Sequence, residues 1–211
     1  MQEATLAIRR SAFHLLQLGR PVKIDDAADA AGLTIDAALE AAELVASVGM
    51  AELDEGTIVG MDGLDEGTIV GMDGLTTRRT QHHVVLNSIE LWTWCAYGIV
   101  GIATALGADA VGTTACGMCG REIEIVVRGG RPDATTVIGW LPDESCSNVM
   151  AEFCPSALLF CSPSHLEEWS AQPGVTAGEA LDVESLADRG RIAWAELVPS
   201  SPYVPTRTAR S

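Results

Sequence analysis

Glu90-Leu-Trp-Thr-Trp-Cys95-Ala-Tyr-Gly98-Ile-Val-Gly-Ile-Ala-Thr-Ala-Leu-Gly-Ala-Asp109 is the stretch on which the reading of the fold turns. Between its two acids no residue is charged, and the run approaches the roughly 20 residues that a membrane-spanning helix needs. It is interrupted by glycines, bounded by acids and has no Lys or Arg flank, which argues against a span. The expectation is a buried helix from about Ile89 to Leu106, with the remaining elements wrapped around it. This segment sets Cys95 among large apolar side chains, and a second cysteine follows in Glu152-Phe-Cys154-Pro155. A buried cysteine alone is commonly just a small hydrophobe. The expectation here is that the scaffold brings the two thiols together.

The totals narrow the function classes. A chain of 211 residues with 47% hydrophobic content can bury a real core and is not broadly disordered. Its formal net charge of −16 argues against a nucleic-acid partner, since phosphate binding needs a basic face. Six cysteines are too few for a disulfide scaffold. The acidic opening Met-Gln-Glu-Ala, with no apolar stretch behind it, reads as no export signal. The expected location is a reducing cytoplasm, where grouped cysteines point to metal or catalysis rather than bridges.

Outward from the central run, the chain reads as an α+β protein in four parts. Residues 1–52 form a winged-helix-like helical module: a helix over 4–20 ends at Gly19, and a helix pair turns at Gly32 with Thr34 capping its second member. That second helix carries Asp36, Glu40 and Glu43 and no base, which suits packing better than DNA. Residues 53–75 hold an exact duplication, Leu53–Gly63 repeated as Leu64–Gly74, read as a lengthened hairpin with solvated acids. Residues 76–198 are the core, mainly antiparallel sheet surrounded by helices. Strands are expected at 76–86, 110–116, 121–128, 135–141 and 157–161, and helices at 145–153, from a capping box at Ser164, and at 182–197. His82 and His83 point to opposite faces of a strand and are read as surface or packing residues. The tail from 199 to 211 is rich in Pro and Ser and is expected to be disordered.

Several of these segments together resemble the organomercurial (alkylmercury) lyases, the MerB family. Arg20-Pro-Val with the helix pair resembles the family's N-terminal module, and Leu91-Trp-Thr-Trp-Cys95-Ala resembles its aromatic-Trp-Cys-Ala helix start. Cys116 falls where the family has a cysteine in a strand-turn segment. Phe153-Cys154, Leu159-Phe-Cys-Ser162 and Glu168-Trp169 resemble the second catalytic segment. The resemblance implies cleavage of a carbon–mercury bond to hydrocarbon and Hg(II), with Cys95 and Cys154 as the catalytic and mercury-binding thiols. It implies an organomercurial substrate, no required cofactor, Hg(II) as bound product, and a mercuric reductase as the downstream acceptor. The family's aspartate, three residues after the first cysteine, is here Gly98. A cysteine proton or a bound water must then replace the acid. Trp92, Trp94 and Phe153 are expected to shape an apolar pocket, with core packing as their ordinary role, and Cys116 to be structural.

The chemistry is independent of the name. Hg(II) is soft, and thiolates are its natural protein ligands. A sulfur near a helix start gains from unpaired backbone N–H groups, which favours the thiolate. A second reading keeps the thiol pair but takes Gly98 as loss of the acid, leaving a non-catalytic Hg or Cu binder. A third uses Cys116-Gly-Met-Cys119-Gly as half of a zinc site, a good half-site without a second CxxC. Cys146, Cys154 and Cys161 are spaced too loosely to complete that site, and Cys146 and Cys161 are read as packing residues. A DNA-binding metal sensor is disfavoured by the acidic balance.

Overall fold

The computed structural model describes residues 2–54, 67–143 and 145–198. Residues 55–66, which hold most of the first copy of the duplication and the start of the second, and the tail from 199 lie outside the described residues, and with them the reading of a lengthened hairpin and of a disordered tail.

The chain starts with α1 (Gln2–Leu16), which turns Ile8, Ala12, Phe13 and Leu16 inward at helical spacing. After β1 (Val22–Lys23) come α2 (Ile24–Ala31) and α3 (Ile35–Ser47). Gly32 closes α2 at φ 68, and the Thr34 hydroxyl caps α3 by accepting from the Ala37 N–H. β2 (Ala51–Asp54) and β1 both pair antiparallel with β3 (Thr68–Met72). A two-residue turn, Asp73-Gly74, then leads into β4 (Leu75–Thr76). Both turn residues have positive φ, 50 and 91, the geometry of a tight hairpin and the reason for Asp-Gly here. Asp73 is buried and pairs with Arg9 of α1 at 2.6 Å. Burial raises the Asp73 pKa, against the opposing pull of Arg9.

β5 (His83–Leu86), β6 (Ile89–Thr93), β7 (Ala110–Ala115), β8 (Glu122–Arg128) and β9 (Arg131–Pro132) complete a nine-stranded sheet in the order β1-β3-β4-β6-β5-β7-β8-β9, with β2 on β3. One sheet therefore runs from the N-terminal module into the core. A smaller sheet has the order β11-β10-β12, from β10 (Ile138–Pro142), β11 (Leu158–Phe160) and β12 (Gly178–Asp182). The mixed helix and antiparallel-sheet architecture is the expected α+β class.

The central run differs from its reading as one helix. Residues 89–93 are strand β6, and only Ala96–Ala105 are helix, α4. Leu91 and Thr93 face inward while Glu90 and Trp92 face outward, a period of two that the apolar Trp92 hides in the sequence. Every residue of α4 from Ala96 to Thr104 is buried. Among the described residues no helix is long and apolar enough to cross a membrane.

Other expectations shift in detail. The helix over 145–153 is a five-residue π-helix, Val149–Phe153, followed by a 3-10 turn at Cys154–Ser156. The cap of α5 (Pro163–Ser170) is Ser162 and not Ser164, because Pro163 takes the first helical position, where its missing N–H costs nothing. α6 (Val183–Ala193) starts from Asp182, as read, but ends earlier, and β12 before it was not anticipated. α6 lies directly on α4: a Cβ on Gly190 would stand 2.4 Å from the Gly101 Cα. Only two glycines allow that approach. Trp194, just past α6, donates its indole N–H to the Asp73 carbonyl at 2.8 Å and sets its ring 5.3 Å from that of Tyr97.

Candidate active site

Cys95 is the N-cap of α4, in extended backbone at φ −144 and ψ 165. This places its sulfur at the positive end of the most apolar helix, within reach of the Gly98 and Tyr97 N–H groups. Cys154 arrives from the far side at the start of the 3-10 turn. Its segment is anchored by Asn148, which accepts from the Ala151 N–H at 2.9 Å, and by the Val149 N–H bond to the Val48 carbonyl at 3.0 Å. Phe153 sets its ring edge-on to Tyr97, with centroids 6.4 Å apart, so the two cysteine segments also meet through their aromatic neighbours.

Both thiols are nearly sealed from solvent, with Cys95 4% and Cys154 7% exposed. They lie close enough for each to bear on the other's titration, and the two are shifted in opposite directions. The Cys154 thiol, and then the two backbone N–H groups, lower the Cys95 pKa against burial. Donation to Cys95, burial and the Cys95 charge push Cys154 far up, and Cys146 adds to this from nearby. Of the two, Cys95 is therefore the thiol that gives up its proton first and Cys154 the one that keeps it longer. Cys146, read from sequence as packing only, is close enough to bear on the pair.

Gly98 lies in the first turn of α4, and its side-chain space is filled. A Cβ there would meet the Thr93 Cβ at 2.8 Å. Thr93 is fully buried and donates its hydroxyl to the Cys95 carbonyl at 2.8 Å. The two acids nearest in sequence lie elsewhere: Glu90 faces His83 at 3.2 Å, and Asp109 accepts from the Gly129 N–H at 2.7 Å. Of the aromatics expected to shape a pocket, Phe153 stands beside the thiols. Trp94 lies over Gly71 with its N–H 3.4 Å from Glu52. Trp92 is a correction: it is on the outer face of β6, between His83 and the Arg79 guanidinium, because residue alternation turns it away from the core. His82, by contrast, is buried, with Nδ1 2.8 Å from the Thr114 hydroxyl.

A second cysteine group lies outside this pair. Cys116 and Cys119, from the turn between β7 and β8, meet Cys161 at the end of β11 and His165 in the first turn of α5. The sequence reading had Cys116 and Cys119 as half a site, set Cys161 aside for its loose spacing, and missed His165. Cys161-Ser-Pro-Ser-His165, a C-x3-H spacing on a helix start, is the signal that would have found it. Burial raises Cys116, but the N–H groups of Cys119, Cys161 and Met118 outweigh it and bring the thiol down to about 6. A cavity of about 1820 Å³ is at the opposite end of α4, beside Arg10, His14, Thr104 and Arg191, and touches neither cysteine group.

Residues 75–194 match the family model described as MerB, alkylmercury lyase. Curated alkylmercury lyases from Bacillus cereus and Pseudomonas putida are 27% and 28% identical over 136 and 135 residues. These matches cover 61% and 60% of this chain and span only 60% and 61% of the relatives' own lengths. A solved structure described as the mercury-bound form of MerB2 is similar with a TM-score of 0.79, over 92% of this chain and 91% of that one. At 22% sequence identity this likeness speaks for the fold.

Proposed function

Because the chain belongs to the alkylmercury lyase family, we propose that it cleaves carbon–mercury bonds at Cys95 and Cys154, yielding hydrocarbon and Hg(II). The observation that carries this reading is the buried pair of thiols, Cys95 at the N-cap of α4 with Cys154 brought beside it, their pKa values shifted in opposite directions. Cys95 as thiolate attacks the mercury of R–Hg–X, forming an S–Hg bond as X⁻ leaves. Cys154 then binds mercury through its sulfur, and its proton passes to carbon as the C–Hg bond breaks with its electron pair on carbon. The products are R–H and Hg(II) held by two thiolates, with no change of oxidation state. Solution thiols exchange the metal out and return the missing proton. Cys154 thus takes the part that an acid at position 98 would play. The substrate is an organomercurial, the setting a reducing cytoplasm, and a mercuric reductase the class of enzyme that would consume the product.

The same reading treats 1–52 as a winged-helix-like module and 76–198 as the catalytic part. The order α1, β1, α2, α3 and a following strand pair supports it, and acidic α3 keeps the module from DNA.

Hydrocarbon release from an arylmercury compound in excess thiol tests the proposal. Release is expected from the native protein and not from Cys95→Ser or Cys154→Ser. A second reading, a non-catalytic Hg or Cu binder, is favoured by one observation: Thr93 fills the place of the acid. Tight mercury binding that needs both cysteines, without any hydrocarbon, would establish it instead.

A further inference from the structure

We propose that Cys116, Cys119, Cys161 and His165 form a second metal centre, a closed Cys3His site for zinc separate from the Cys95–Cys154 pair. The four ligand atoms lie within 4.8 Å of one another. Zinc in tetrahedral coordination, with Zn–S of about 2.3 Å and Zn–N of about 2.05 Å, sets S···S edges of about 3.8 Å and S···N edges of about 3.6 Å. The Cys119 and Cys161 sulfurs are 3.8 Å apart, and His165 Nδ1 is 3.7 Å from the Cys116 sulfur and 3.1 Å from that of Cys161. The side chains thus already outline the polyhedron. A disulfide would need about 2.05 Å, and all of these cysteines are free.

The local backbone is built for this arrangement. In Cys116-Gly-Met-Cys119-Gly120 the Gly120 N–H returns to the Cys116 carbonyl at 2.9 Å with φ 70, a tight turn that aims both sulfurs to one side. On the other half, the Ser162 cap and Pro163 fix the start of α5, which sets His165 back toward Cys161. The Cys161 N–H points at the Cys116 sulfur at 3.5 Å, the kind of outer contact that supports a metal-bound thiolate. The Gly117 N–H bond to the Leu159 carbonyl, at 2.9 Å, holds the halves in register. Three thiolates and one imidazole suit zinc and not magnesium or calcium, and four protein ligands leave no open position, the mark of a structural site. Zinc here would staple the β7–β8 turn of the large sheet to the junction of β11 and α5. β11 follows directly on the turn that carries Cys154, so the metal would steady that thiol from behind.

The test is elemental analysis of protein purified with reductant, followed by Co(II) substitution. About one zinc per chain is expected. It is retained in the Cys95→Ser/Cys154→Ser double variant and falls at least tenfold in Cys119→Ser and in His165→Ala. Cobalt in the native chain is expected to give thiolate-to-metal charge transfer and the intense visible bands of tetrahedral coordination, a readout that does not depend on any variant folding. Zinc content that tracks Cys95 and Cys154 would overturn the proposal. So would a weak octahedral cobalt spectrum, or a Cys119–Cys161 disulfide in the reduced preparation.

Discussion

A Cβ placed on Gly98 meets the Thr93 Cβ at 2.8 Å, its Cγ2 at 3.2 Å and its Oγ1 at 3.3 Å, so Gly98→Asp probes whether an acid has any room beside Cys95. The obstacle is a β-branched side chain at the end of β6, fully buried, and its nearest atom is bonded directly to the backbone. Overpacking of this kind costs about 1–3 kcal/mol. Moving Thr93 also strains its hydroxyl bond to the Cys95 carbonyl, a further loss of about 1 kcal/mol. Against this, an acid in the first turn of a helix returns roughly 0.3–1 kcal/mol. The net expectation is a loss of about 1–4 kcal/mol, or a Tm lower by about 2–16 °C in a chain of this size. Thr93→Gly removes the obstructing atoms. Combined with Gly98→Asp, it should leave the double variant more stable than the sum of the single effects by about 1–3 kcal/mol. Thermal and denaturant unfolding of the four proteins measures this, with hydrocarbon release followed alongside. Gly98→Asp alone keeping the native midpoint while releasing hydrocarbon faster would refute the steric reasoning.

Three further outcomes are expected. Cys95 is lowered from the ordinary thiol value of 9.0, so hydrocarbon release should rise with pH below 9 as its thiolate forms; Cys154 is raised, so the alkaline fall that marks loss of its proton should begin only above 9. A rate–pH profile flat across both regions would contradict these roles. Arg9→Ala leaves the buried Asp73 carboxylate without its partner and should cost about 3–5 kcal/mol at neutral pH. Adding Asp73→Asn should recover much of this in denaturant melts. Burial holds His82 at about 4, below its ordinary 6.5, so between those values the unfolded chain takes up a proton that the fold refuses. Stability should therefore fall as pH drops from about 6.5 to about 4, by on the order of 2–3 kcal/mol. A His82→Gln variant with the same acid sensitivity as native would exclude this cause.

Local signals in the sequence were legible where one principle acts alone. The Gly32 turn, the Thr34 cap and the α3 start follow from backbone conformation and hydroxyl geometry, and the structure has them. The central run was harder because it is apolar on both faces. Trp92 rests on His83 and beneath Arg79, so its hydrophobicity does not mark the core, and the strand's alternation is masked. The meeting of Cys95 with Cys154 rests on contacts distant in the chain and came from family resemblance, not from spacing. Thr93 beside Gly98 could not be read either, since a strand end and a helix turn must first be placed against each other. The second cysteine group was half visible because CxxC is a compact pattern, while Cys161 and His165 sit across a strand-to-helix junction.

The contact of Gly101 with Gly190 joins two segments that are made far apart in time. At roughly 5–20 residues per second, a ribosome takes on the order of 4–18 s to extend the chain from the end of α4 to the end of α6. Throughout that interval the most apolar helix has no α6 to lie against, and for the first half of it Cys95 has no Cys154. The nascent chain is then at its stickiest, and mercury arriving early meets a solitary thiol in place of a paired one. Recovery of the protein from cells should thus depend on chaperone supply during synthesis, and on whether the metal is added before or after translation ends.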